Sequence, residues 1–186
     1  MGVEGNERLT AATGVVLIAL LAALGVTILS IGPLLWWHVL IGMFLIPPVL
    51  LKLASTGWRF LRYYRGRPEY VRRGPPVLWL RLMAPLVVAS TLAVFGTGVA
   101  LLVVGPSGGI LVGLHKASFI VWLFATAVHV LGHLGHLVAR RRIRGASWRF
   151  VALAGSLVAG TVLAALTVRY GQPWVHWFAG RHRGDG

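Results

Sequence analysis

Four histidines and one lysine lie within or at the edges of long apolar runs: His38, His115, His129, His133 and Lys52. Ionisable side chains are costly to hold at membrane depth, so these five are the first candidates for function. His115 and His129 are fourteen residues apart, almost four helical turns. Their imidazoles therefore share one helix face, about 21 Å apart along the axis. His38 and Lys52 repeat that interval on an earlier run. Nitrogen donors paired at two matching depths can grip metal from opposite sides. Two iron porphyrins, one toward each membrane surface, are the chemistry this spacing suits, with His38 facing His115 and Lys52 facing His129.

Lys52 is the unusual member, because sixteen of the eighteen basic residues are arginine. Arginine keeps its proton in a protein, whereas a desolvated lysine can become a neutral amine and offer a lone pair. Two other roles stay open for it. It can snorkel toward the interface marked by Trp58 and Arg59, or pair with a haem propionate. Pro47-Pro48 stands between His38 and Lys52 and must disturb the helix phase. His133 is the substitute inner ligand. With His129 and His136 it also forms His-x3-His-x2-His, a spacing that can chelate zinc or copper. Gly42, Gly96 and Gly98 could admit a flat macrocycle or simply let helices approach closely. Trp122, midway between His115 and His129, could lie between two haem planes or serve as packing. His176 and His182 read as interfacial or disordered.

The elements that must position these residues are membrane helices. Of the 186 residues 57% are hydrophobic and 12% charged, whereas soluble domains carry roughly 25% charged residues. Five apolar stretches, at about 9–31, 34–58 (extending to 64), 77–104, 110–138 and 148–168, each exceed the roughly 20 residues needed to span a bilayer as helix. They lack the alternation of a membrane β-barrel. The expected fold is an all-α integral membrane bundle, a single membrane domain of five transmembrane helices with a short outer tail over 169–186. Gly32-Pro33 and Gly105-Pro106 read as tight turns, and Gly74-Pro75-Pro76 closes a longer one. The first run is too long for a typical signal-peptide core and lacks a basic lead-in, so a retained helix is expected. Zero cysteines exclude disulfides, thiolate metal sites, iron–sulfur clusters and covalent haem attachment. Four acidic residues leave little for carboxylate-pair catalysis. No phosphate loop, dinucleotide fingerprint or nucleophile motif is present.

Charge sets the expected orientation. Seven arginines fall between Arg59 and Arg81 and five between Arg140 and Arg149, while the other two loops carry none. The positive-inside rule places the arginine-rich loops and the N-terminus in the cytoplasm and the C-terminus outside, in a bacterial inner membrane. Trp58, Trp79 and Trp148 then mark the inner boundary, and Trp36, Trp37, Trp174 and Trp177 the outer one. Topology and contact with anionic lipid account for the net charge of +14 without nucleic acid.

The segments Trp37-His38-Val39-Leu40-Ile41-Gly42 and Leu114-His115-Lys116-Ala117-Ser118-Phe119, leading to Ala127-Val128-His129, resemble the bacterial membrane cytochromes b, in particular the cytochrome b561-like group. The resemblance covers roughly 36–135. It implies a four-helix core holding two b haems, with His38, His115 and His129 in ligand positions. Lys52 departs from the histidine usual there. It also implies electron transfer in or across the membrane, exchange with quinone, and an extracytoplasmic partner such as a molybdopterin oxidoreductase. Lys116, Arg59 and Arg62 could compensate propionates, and quinone- or superoxide-linked turnover is the enzymatic form of the same idea. Two other classes remain: a histidine-based transition-metal transporter or sensor, and a cofactor-free membrane anchor subunit.

Overall fold

The computed structural model describes residues 3–72, 74, 78–107, 109–139 and 148–181, with side chains described for all of these except 3–4, 133–139, 148–149 and 181. Long apolar runs in lipid must satisfy every backbone group internally, and these do so as helices. The elements are α1 (Val3–Leu29), α2 (Ile31–Tyr64), a short α3 (Pro68–Val71), α4 (Leu78–Val104), α5 (Gly109–Ala139), α6 (Trp148–Thr167) and α7 (Gln172–Arg181). Single 3-10 turns at Gly105–Ser107 and Val168–Gly171 join α4 to α5 and α6 to α7. No strand occurs among the described residues. Five segments are long and apolar enough to cross a membrane: Gly5–Leu29, Ile31–Tyr64, Leu78–Ser107, Gly109–Gly132 and Phe150–Gly180. The chain is an all-α membrane bundle, as expected from composition. Large apolar side chains such as Val103, Ile110 and Leu131 stand exposed where lipid is their solvent.

Two boundaries differ from the sequence reading. The break between α1 and α2 is Ser30 alone, and Gly32 and Pro33 fall in the first turn of α2. Proline is tolerated there because the N–H it lacks has no partner within a helix's first turn. Beyond α6, residues 172–181 form helix α7 instead of a plain tail. Gly66 (φ 69°) follows α2 and Gly105 (φ 74°) follows α4, each in the left-handed conformation that stops a helix at low cost.

Helix α2 is the hub. It packs along α1 on one side and α6 on another, while α4 pairs with α5. The α2–α5 seam lacks comparable backbone packing among the described residues. Glycines set the closest approaches. Pro48 cannot donate to the carbonyl of Phe44 one turn earlier, and α6 presents Gly160 to that same oxygen, where any Cβ would collide with it. Gly132 of α5 likewise leaves room for the Trp79 ring of α4. Helix α7 touches α2 and the Gly105–Ser107 turn, and its buried Trp174 donates Nε1–H to the carbonyl of Leu101 at 2.9 Å.

Candidate functional site

His38 of α2 and His115 of α5 come together, their rings nearly perpendicular. Their ring centroids are 6.5 Å apart and the planes cross at 85°. An imidazole nitrogen binds a metal at about 2 Å, so two rings on opposite sides of one ion have centroids about 6 Å apart. The pair already stands near that separation.

Both rings are held from behind. His38 Nδ1 lies 2.9 Å from the Thr27 hydroxyl of α1, and that hydroxyl donates its proton to the carbonyl of Leu24. His115 Nδ1 lies 3.0 Å from the Thr97 hydroxyl of α4, which donates to the carbonyl of Ala93 at 2.7 Å. A threonine hydroxyl has one proton to give; with that proton on a carbonyl, its oxygen accepts from the imidazole. In that arrangement each Nδ1 carries the proton and the lone pair lies on Nε2. Histidine ligands are oriented in this way at metal centres. Gly98 makes the fit possible on α4, since a Cβ there would come within 3.2 Å of His115 Cε1.

The other pair is built differently. Lys52 turns toward α1 and donates from Nζ to the carbonyl of Thr10 at 2.6 Å. Gly14 leaves the space, because a Cβ there would sit 3.1 Å from Nζ. The surrounding polar groups stitch α1 to α2. Asn6 Nδ2 donates to the Ser55 carbonyl at 2.8 Å, the Thr10 hydroxyl to Ser55 Oγ at 3.0 Å, and the Ser55 hydroxyl to the Lys52 carbonyl at 3.0 Å. Arg59 pairs with Glu7 at 3.8 Å just beyond. His129 is half-buried on α5 and lies within electrostatic reach of Lys52. His38 of α2 thus stands beside His115 of α5, while Lys52 is engaged in the polar seam between α1 and α2.

The remaining candidates separate. The side chains of His133 and His136 lie outside the described residues, as does His182; His176 is exposed on α7. Trp122 donates Nε1–H to the Thr91 hydroxyl at 3.1 Å, so it is part of the α4–α5 packing. Lys116 is exposed, Arg59 is engaged by Glu7, and Arg62 stacks over the Trp58 ring at 4.4 Å. A Cβ on Gly42, one turn after His38, would meet nothing within 4 Å. The same holds for Gly96, but that residue is exposed. Among the described residues no three or more His, Cys, Asp or Glu side chains gather as a metal cage. The His38–His115 pair by itself offers two imidazoles and no further donor, so a metal held there would need its remaining ligands from elsewhere.

Thr27 and Thr97 were not singled out by the sequence. Comparison with family models, curated proteins and solved structures returns no match for this chain.

Proposed function

We propose that this chain is a b-type cytochrome of the cytochrome b561-like kind, carrying electrons within or across a membrane. The observation that carries the reading is the His38–His115 pair. Two imidazoles from α2 and α5 stand 6.5 Å apart, each with Nδ1 tied to a threonine. When bound, haem supplies the iron that cycles between ferric and ferrous. The protein's own part would be to orient both imidazoles through Thr27 and Thr97 and to hold the half-buried pair among apolar helices.

A second haem at the level of His129 and Lys52 is the di-haem form of the same reading. Lys52 would serve it, as iron ligand or propionate partner, only by giving up the Thr10 carbonyl; otherwise His133 would be the ligand. The arginine-rich end faces the cytoplasm and the His38–His115 end the outside, so electrons pass between an extracytoplasmic redox protein or quinone and the inner side of the membrane.

Pyridine haemochrome analysis of the purified chain tests the reading. The expected result is b haem, one per chain for the His38–His115 site alone or two with the inner site filled. Loss of the outer haem is expected in both His38→Ala and His115→Ala. A colourless preparation without Soret absorbance after expression with ample haem overturns the proposal.

A further inference from the structure

The two threonines behind the imidazoles sit on helices that carry no candidate ligand: Thr27 on α1 and Thr97 on α4. Each is anchored by its own helix through a carbonyl one turn back, so each acceptor oxygen has a fixed position. An imidazole on a helix can turn about its Cβ–Cγ bond. A hydrogen bond at Nδ1 to a fixed oxygen stops that rotation. Two such bonds from different directions determine the angle between the rings, and that angle is 85°. Thr97 is further braced by Ser118 Oγ at 3.4 Å, and Gly98 leaves room for the Nδ1–Cε1 edge of the His115 ring against α4.

We propose that Thr27 and Thr97 are positioning residues that lock His38 and His115 in the Nδ1–H tautomer and keep their planes crossed, thereby setting the electronic state of the iron between them. This rests on the haem reading above. Crossed axial planes leave the two iron orbitals that interact with the imidazoles nearly equal in energy. Ferric iron in that state gives a single strongly anisotropic low-spin resonance; parallel planes split the orbitals and give a three-line rhombic spectrum. The threonine oxygen, by accepting from Nδ1–H, also makes each imidazole a better donor, which favours ferric iron. Removing it shifts the midpoint potential to more positive values.

Electron paramagnetic resonance and redox titration of the haem-loaded chain test this, using Thr27→Val, Thr97→Val, the corresponding serine variants, and Thr91→Val. Thr91 is a threonine on α4 that serves Trp122 and touches neither histidine. The expected result is a strongly anisotropic signal in the wild type. In each His-facing valine variant that signal converts to a rhombic or heterogeneous one, with the potential raised. Serine variants and Thr91→Val retain the wild-type values. Haem loss in the valine variants with retention in the serine variants also supports the proposal, because only the hydroxyl distinguishes them in function. Haem bound with unchanged resonance and potential in both valine variants overturns it while leaving the cytochrome reading intact. So does an equal shift in Thr91→Val, or haem loss in the serine variants as well. Absence of haem from the wild type sinks the underlying reading.

Discussion

At the residue scale, His38 and Lys52 share a helix and an interval with His115 and His129, yet their surroundings differ. His38 is tied at Nδ1 and faces another imidazole, whereas the Lys52 ammonium is turned away to a backbone carbonyl of α1. The Lys52→Met variant separates its roles. If the proposed cytochrome reading holds, it is expected to keep a haem at His38 and His115 and to lose or spectrally shift a second one, read as haem per chain and as the α-band maximum. Retention of two unaltered haems makes Lys52 a tie between α1 and α2, with a lost hydrogen bond from a charged donor costing roughly 1.5–3 kcal/mol in thermal unfolding. The spacing of the histidines was legible in the sequence, because a regular helix keeps register over fourteen residues. The direction of Lys52 was not, since Pro47 and Pro48 intervene. Thr97 had a faint signal: it precedes the α4–α5 turn by about the distance at which His115 follows it. Thr27 had none, because α1 and α2 join through Ser30 alone and His38 lies much farther beyond that break than Thr27 lies before it.

At the element scale, the five spans were readable from length and apolar composition, since lipid permits little except helix for such runs. Which helices touch was not readable, because a bilayer gives no contrast between a lipid-facing and a helix-facing apolar side chain. Gly160 is a case in point. It reads as one more small residue in an apolar run, but in the bundle it faces the Phe44 carbonyl opened by Pro48. Gly160→Ala is expected to push α6 off α2 and cost about 1–3 kcal/mol, as overpacking does, seen as a lowered melting temperature in detergent. Gly42→Ala, where a Cβ meets open space, is the matched control and leaves melting unchanged while testing the room beside His38. Trp174→Phe removes the hydrogen bond from α7 to Leu101 and is expected to cost about 1 kcal/mol in the same measurement, with haem content unaffected.

At the scale of the whole molecule, the bundle consists of a three-helix assembly around α2 and a hairpin of α4 and α5, and the histidine pair bridges them. The arginine asymmetry predicts its orientation, and the absence of cysteine makes the test clean. Arg67→Cys is expected to resist a membrane-impermeant thiol reagent applied to intact cells, and Ser107→Cys to react with it; the reverse pattern inverts the topology. The pairing of Pro48 with Gly160 also has a temporal consequence. Translation delivers α2 to the bilayer well before α6 is made, so the nascent chain must cross once with a backbone oxygen bare at mid-depth. The crossing that contains α6 covers it. Until then the Phe44 carbonyl lacks both the donor that Pro48 cannot be and the helix that packs over it.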